Sequence, residues 1–225
     1  DYAVTGVQTC ALPISMLGAM LGKWLGLNKN MIYSIALAGL LHDIGKTQVP
    51  QDILFKTSRL SEYEMEQVRA HSKLGYDLLK DNVSIPRDVL AAVLFHHERS
   101  DGTGYPSGLK EEQTPYIARI IGVVDVFDAV TSDRIYKKGV SSFQAFNIMK
   151  DESFKGLDPM ITDVFMTNIA SFFINNKVKL NDGRIGEVVY VNKFALNRPL
   201  IKTSNDFVDL STDYSLEIDE VLMPK

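Results

Sequence analysis

The chain has a single cysteine among its 225 residues, Cys10, and it lacks any long apolar run. One cysteine excludes a disulfide framework and fits a reducing compartment, so we expect a cytoplasmic protein. A helix that spans a bilayer needs roughly 20 consecutive apolar residues, and the lack of such a run predicts a soluble chain. The formal net charge is only −4, which gives no general attraction to a nucleic acid polymer or a membrane surface. An anionic substrate would need local positive charge from metals or from a few Lys and Arg side chains.

The first fifteen residues differ in character from the rest. Residues 4–15, Val-Thr-Gly-Val-Gln-Thr-Cys-Ala-Leu-Pro-Ile-Ser, resemble the translation of a common sequencing-library adapter. Helical periodicity begins only after them, at Met16. We therefore expect residues 1–15 to be a non-native stretch joined to a gene fragment that lacks its own N-terminus and any sensory domain before it. The alternative is a natural N-terminal strand or turn.

Residues 16–175 are predicted to form a helical domain, because apolar residues recur there at helical spacing. Ser61 and Glu64 form a predicted capping box, and Asp158 with Pro159 is typical of a helix start. Residues 98–115 are rich in glycine and proline and predict an ordered loop. The predicted helices cover 16–27, the residues from about 32 to 45, 61–80, 86–96, 116–131, 141–151 and 158–174.

Residues 176–225 are predicted to form a small β appendage. Val178–Leu180 and Ile185–Val191 flank an Asn-Asp-Gly sequence, a pattern that predicts a β-hairpin. Further short strands are expected at 200–201, 207–208 and 216–218. The fold class is therefore mainly α, a helical bundle with a small C-terminal β subdomain, which offers a possible homodimer contact, a partner-binding patch or only a cover for the core.

The histidines carry the strongest chemical signal. A lone histidine at the end of an apolar helix is more often a hydrogen-bonded core residue than a ligand, but four such residues, with Asp43 and Asp125, indicate one polar pocket where helices converge. Imidazole and carboxylate suit Fe, Mn, Zn or Co. Successive helical residues point about 100° apart, so the two adjacent histidines can face different metals. The four are His42, His71, His96 and His97.

Three stretches resemble one known family. Leu40-Leu-His-Asp-Ile-Gly-Lys46 resembles the signature of the HD phosphohydrolase superfamily. The loop from His96 to Pro106 is similar to that of the HD-GYP subgroup, which is named after Gly104-Tyr105-Pro106, and residues 123–134 match the stretch that follows it. The resemblance covers Met16 to about Phe173, in motif order.

The resemblance implies a metal-dependent phosphodiesterase with two or three divalent transition metals, Fe or Mn. Asp43 would bridge two metals, and the water between them would be the nucleophile, with a pKa lowered towards neutrality. Lys46 would contact that water or the scissile phosphate; otherwise it is a solvated residue at a helix C-terminus. The implied metal ligands are His42, Asp43, His71, His96, His97 and Asp125.

Substrate contacts follow from the same resemblance. Arg134 and Lys137 match basic positions that resemble phosphate binders, and arginine suits a bidentate grip on phosphate oxygens. Gly104 allows close backbone approach, and Tyr105 either packs under its loop or touches a guanine. Glu98, Arg99 and Asp101 are expected to orient the histidines.

The implied reaction is hydrolysis of cyclic di-GMP to pGpG, GMP or both, in bacterial second-messenger signalling. One departure stands out: family members carry a further metal-ligating histidine before the Leu25-Gly26-Leu27 turn, and counting back places it near Cys10. The activity of this chain is therefore open. The alternatives are another cyclic dinucleotide or nucleotide substrate, and an inactive module that binds the dinucleotide or docks proteins.

Overall fold

The computed structural model describes residues 2–132 and 141–222. Short 3-10 helices cover Ile44–Gln48 and Glu111–Gln113. The strands are β1 (Lys177–Leu180), β2 (Ile185–Asn192), β3 (Ala195–Thr203), β4 (Phe207–Asp209) and β5 (Ile218–Leu222). The α-helices are α1 (Tyr2–Trp24), α2 (Lys29–Leu41), α3 (Gln51–Leu54), α4 (Glu62–Arg69), α5 (His71–Leu79), α6 (Arg87–Phe95), α7 (Tyr116–Thr131), α8 (Ser142–Phe154) and α9 (Pro159–Ser171).

Helix α1 begins fourteen residues earlier than its periodicity predicts, at Tyr2 rather than Met16. The sequence does not predict this early start, because it contains Gly6 and Pro13 and both residue types are poor helix formers. Ala11 and Ile14 are nevertheless buried, and the Ser15 hydroxyl donates a hydrogen bond of 2.8 Å to the Ala36 carbonyl of α2. Packing against α2 therefore overrides the local propensity, while the adapter origin of residues 1–15 stays a prediction.

The predicted helix over 61–80 is two helices. The capping box forms as expected, because Ser61 and Glu64 exchange hydrogen bonds at the start of α4. Ala70 then separates α4 from α5. The break allows α5 to pack closely against the first 3-10 helix, where an added Cβ on Gly45 would lie 1.9 Å from the His71 carbonyl oxygen. His71 is thereby placed at the start of its own helix.

Helix α7 forms the centre of the helical body. Its residues from Ile117 to Val124 are almost all buried, as expected for a helix that is apolar on all sides. It contacts α1, α2, α6, α8 and α9. Asp125 is thus carried on the most deeply packed helix.

The C-terminal strands form one antiparallel sheet in the order β4-β3-β2-β1-β5. The predicted hairpin is β1–β2, and Gly183 in its turn has a φ of +91°, a conformation that glycine adopts without a steric penalty. Val178, Leu180 and Val188 are fully buried and belong to the same core cluster as the helices. The structure confirms the predicted fold class, mainly α with a small C-terminal β subdomain.

No helix among residues 2–132 and 141–222 has the length and apolar character needed to cross a membrane.

Candidate metal centre

The ends of three α-helices deliver the cluster of ionisable side chains. His42 follows the last residue of α2, and Asp43 comes directly after it. His71 opens α5, and His96 and His97 directly follow α6. Side chains at the ends of these helices therefore converge, as predicted. We call the five residues His42, Asp43, His71, His96 and His97 the histidine cluster.

The cluster is compact enough to hold metal ions. Ligand atoms of Asp43, His71, His96 and His97 all lie within 4.8 Å of one another. His71 Nε2 lies 3.4 Å from His96 Nε2. The two oxygens of Asp43 face different histidines, with Oδ1 at 3.3 Å from His71 Nε2 and Oδ2 at 3.3 Å from His42 Nε2. A carboxylate in this position can serve two cations at once.

Backbone carbonyls orient three of the imidazole rings. The Nδ1 atoms of His42, His71 and His96 lie 2.7, 2.7 and 2.9 Å from the carbonyl oxygens of the residues three positions earlier. A carbonyl oxygen only accepts, so each Nδ1 carries the proton and donates it. In the neutral form of each ring the lone pair is therefore on Nε2, which faces the cluster, and this is the usual arrangement of a metal-binding histidine.

Neighbouring charges shift the pKa values of His42 and Asp43 in opposite directions. Burial lowers the pKa of His42, but the carboxylates of Asp43 and Asp125 outweigh it, and the net pKa is raised. Burial raises the pKa of Asp43, but His42 and Lys46 outweigh it, so that this pKa lies well below its usual value. A metal and a proton compete for His42 Nε2, so metal affinity at this residue falls as the pH is lowered.

The other three histidines are neutral. Burial lowers the pKa of His71, lowers that of His96 well below its usual value, and lowers that of His97 to about 2. Their lone pairs are available for a metal without proton loss.

Two buried polar atoms of the cluster lack hydrogen-bond partners among the described residues, and they indicate whether a metal would fit there. Within the described part of the chain, His42 Nε2 and Asp43 Oδ1 are buried without a hydrogen-bond partner. Leaving a buried polar group unsatisfied costs about 1–3 kcal/mol, and a coordinated cation would remove that cost. Neutral imidazole with carboxylate is a donor set that divalent transition metals accept. The cluster therefore fits a divalent metal.

Asp125 lies at the edge of the cluster. Its Oδ1 is 4.0 Å from His42 Nε2 and its Oδ2 is 3.8 Å from His97 Nδ1. Lys46 is closer, because its ammonium donates a hydrogen bond to Asp43 Oδ2. The structure thus brings all six predicted ligands and Lys46 to one place, whereas Arg134 and Lys137 lie outside the described residues.

Tyr105 is packed onto the cluster. Its ring stacks on the His97 ring with 4.6 Å between centroids and an angle of 28°. Gly104 is required by its own loop, since an added Cβ would lie 2.4 Å from the Arg99 nitrogen and 2.5 Å from the His97 carbonyl oxygen. Close backbone approach at Gly104 is therefore already explained without a substrate.

Glu98 has a role that differs from the sequence-based expectation. Its buried carboxylate accepts hydrogen bonds from the backbone N–H groups of Ser107 at 2.7 Å and Leu109 at 2.8 Å. Arg99 donates to the Glu98 carbonyl, and Asp101 accepts from Thr103. These residues fasten the loop that carries Tyr105, and among the described residues none of their side chains hydrogen-bonds a histidine.

Arg69 was missed by the sequence reasoning. Its guanidinium carbon lies 5.6 Å from the centroid of the Tyr105 ring. Arg69 stands two residues before His71, as the last residue of α4 before the break at Ala70. The sequence carries no signal for that break.

Comparison with protein families gives one clear match. A family model described as an HD domain matches residues 5–161. The cyclic di-GMP phosphodiesterase PA4108 of Pseudomonas aeruginosa is 39% identical over 196 residues, which are 87% of this chain and 46% of that protein. The response regulator RpfG of Xanthomonas campestris, a cyclic di-GMP phosphodiesterase, is 35% identical over 74% of this chain and 44% of its own length. The chain spans about half the length of the curated relatives it matches.

Solved structures show the same fold at lower identity. Bd1817 of Bdellovibrio bacteriovorus, described as an HDG"Y"P protein, superposes with a TM-score of 0.60 at 20% identity over 71% of this chain and 51% of its own. The HD domain of the phosphodiesterase PgpH of L. monocytogenes, in complex with cyclic-di-AMP, gives a TM-score of 0.54 at 18% identity, covering 75% of this chain and 92% of that one.

Proposed function

This chain belongs to the HD domain family, and from that premise we propose that its histidine cluster holds two or three divalent transition metals, Fe or Mn, and hydrolyses a phosphodiester bond of cyclic di-GMP. The products are pGpG, GMP or both. The observation that carries the proposal is the convergence of Asp43, His71, His96 and His97, whose ligand atoms lie within 4.8 Å of one another.

The chain's residues have distinct roles in this reaction. Metals bound in the cluster would lower the pKa of a water molecule and neutralise charge on the phosphoryl oxygens. Asp43 presents one oxygen to His71 and the other to His42, which suits a shared ligand. Lys46 is held against Asp43, where its ammonium can stabilise negative charge on the scissile phosphate. Arg134 and Lys137 are proposed as further phosphate contacts.

The relatives support a cyclic dinucleotide as the substrate class. PA4108 and RpfG are both named as cyclic di-GMP phosphodiesterases. A Vibrio cholerae relative that is 38% identical over 68% of this chain and 36% of its own length is named as a 3′3′-cGAMP-specific phosphodiesterase. The choice of base therefore needs a direct comparison of substrates.

The test is turnover by the purified chain loaded with Mn or Fe(II). Cyclic di-GMP, 3′3′-cGAMP and cyclic di-AMP are supplied separately, and the products are resolved by chromatography. We expect cyclic di-GMP to be hydrolysed fastest and the His42→Ala variant to be inactive. Full activity of His42→Ala would contradict the proposal.

A Cys10→His variant tests the position at which family members carry a further histidine. Greater turnover by this variant than by the unchanged chain would support the reaction and show that the missing ligand limits it. Binding of metal and cyclic di-GMP without turnover by either protein would instead support a dinucleotide-binding module.

A further inference from the structure

A continuous stack of side chains leads from solvent to the histidine cluster. Arg69, the last residue of α4, is exposed. Its guanidinium carbon lies 5.6 Å from the Tyr105 ring centroid, and the Tyr105 ring stacks on His97 with 4.6 Å between centroids. Tyr105 also meets the His71 ring edge-on at 6.4 Å. Arg69 is therefore separated from two of the candidate metal ligands by one aromatic ring.

Arg69 keeps its charge available. Lys46, Lys56 and Arg119 each pair with a carboxylate. Within residues 2–132 and 141–222, no carboxylate forms an ion pair with Arg69, and its contact is with the face of an aromatic ring. A cation–π contact at an exposed site is worth about 0.5–1 kcal/mol, which orients the guanidinium without neutralising it. Its N–H donors are left for another group.

A cyclic dinucleotide has a second phosphate that the Arg69 guanidinium could bind. A cyclic dinucleotide carries two phosphodiesters, each with one negative charge. Metals at the histidine cluster would neutralise the phosphate that reacts, and we expect the second phosphate to be bound by another cation. The guanidinium group matches phosphate oxygens with two parallel hydrogen bonds, so a cation one ring away from the cluster suits the second phosphate.

Resting on the proposed function, we propose that Arg69 is a substrate-binding residue that holds the non-reacting phosphate of the cyclic dinucleotide, with the Tyr105 ring as its platform. The Tyr105 ring is held in place without a substrate. Glu98 accepts hydrogen bonds from the backbone N–H groups of Ser107 and Leu109, which follow Tyr105 in its loop. A guanidinium that is already placed loses little conformational entropy on binding. The residue therefore contributes to affinity for a dinucleotide and not to cleavage of a diester as such.

The experiment compares two substrates in the metal-loaded chain. Cyclic di-GMP has a second phosphate, whereas bis(p-nitrophenyl) phosphate has only the one that is cleaved. For Arg69→Gln we expect the KM for cyclic di-GMP to rise roughly 10- to 100-fold, since hydrogen bonds to charged groups are of that strength. The kcat/KM for bis(p-nitrophenyl) phosphate and the metal content should stay at the values of the unchanged chain.

Two further variants act as controls. Arg69→Lys keeps the charge without the planar donor pair, and should recover part of the lost affinity. Arg184→Gln removes the same charge from the β1–β2 turn, where Arg184 pairs with Asp182, and should leave both substrates unaffected. Combining Tyr105→Leu with Arg69→Gln should weaken cyclic di-GMP binding no more than the stronger single change, because the two residues act as one unit.

The outcomes separate this inference from the proposed function. An unchanged KM for cyclic di-GMP in Arg69→Gln overturns the role of Arg69 and leaves the phosphodiesterase standing. Equal losses for both substrates also overturn it, since Arg69 would then act through the metal centre or the fold. If the unchanged chain binds cyclic di-GMP without hydrolysing it, the proposed function fails, and the dissociation constants of the same variants decide the role of Arg69. Absence of both binding and turnover overturns both proposals.

Discussion

Asp43 and His71 meet from different elements, with Asp43 Oδ1 at 3.3 Å from His71 Nε2. The other Asp43 oxygen faces His42, so one carboxylate connects two parts of the cluster. We expect Asp43→Asn to weaken Mn binding by about 100-fold or more, because even partners outside the ligand set change metal affinity 10- to 100-fold. Equilibrium dialysis with elemental analysis measures the loss. Asp77 is a half-exposed aspartate on α5 that pairs with Lys73 and Lys80, and Asp77→Asn should bind Mn like the unchanged chain. Equal Mn binding by the two variants would contradict the bridging role of Asp43.

Metal binding should stabilise the fold, because the cluster joins α2, α5 and α6. At a Mn concentration of about 100 times Kd, the expected gain is about 2.7 kcal/mol. For a chain of this size that corresponds to a rise in Tm of about 5–10 °C, measured by calorimetry with Mn and then with excess chelator. His97→Ala removes a partly exposed ligand and should reduce the rise. An equal rise in this variant would place the bound metal elsewhere.

Much of the architecture was predictable from local patterns. The mainly α fold with a C-terminal β subdomain is confirmed, because helical periodicity and the Asp182-Gly183 turn are short-range signals. The convergence of His42, His71 and His96 followed from their positions at helix ends, although their roles as ligands stay predictions.

Features set by packing between distant segments were not predictable. No glycine or proline marks the break at Ala70 in the sequence. The break lies next to the close contact between the start of α5 and Gly45. Arg69 stands at this break and contacts the Tyr105 ring. Glu98 looks like a partner for the histidines because it follows His97, but its side chain turns to the loop, where two backbone N–H groups need an acceptor.

Gly45 should tolerate no side chain. A Cβ there would lie 1.9 Å from the His71 carbonyl oxygen and 2.4 Å from the Gly75 nitrogen, both backbone atoms. We expect Gly45→Ala to lower the free energy of unfolding by about 3 kcal/mol or more, at the upper end of overpacking effects, as measured by urea denaturation. Gly22→Ala is the matched control, since the atoms nearest to its Cβ would be side-chain atoms of Ile35 and Ile32 at 3.0 and 3.3 Å, and its nearest backbone atom would be at 3.8 Å. Equal stability of the two variants would contradict the close packing of α5.

Acid should weaken the start of α4 through Glu64. Hydrogen bonds from Lys56 and Ser61 lower the pKa of this carboxyl from 4.5 to about 2. Because the folded pKa lies below the unfolded one, its stabilising contribution is complete above about pH 4.5 and is lost as the pH falls towards 2. The urea midpoint of the unchanged chain should exceed that of Glu64→Gln at about pH 6 and approach it at about pH 3. A difference in urea midpoint that stays constant across this pH range would show that the Glu64 carboxylate charge is not involved. The control is Glu66→Gln, a change on the same helix.

Glu98 should matter for both the stability and the substrate affinity of the chain. Its carboxylate accepts two backbone N–H groups, whereas the amide of Glu98→Gln has one accepting oxygen and turns an N–H donor towards the other. One buried donor is then left unsatisfied, at a cost of about 1–3 kcal/mol in the free energy of unfolding. Since the loop carries Tyr105, the KM for cyclic di-GMP should also rise, while the metal content stays unchanged. The control is Glu112→Gln, a change at an exposed glutamate. Loss of bound metal in Glu98→Gln would show instead that Glu98 supports the histidines.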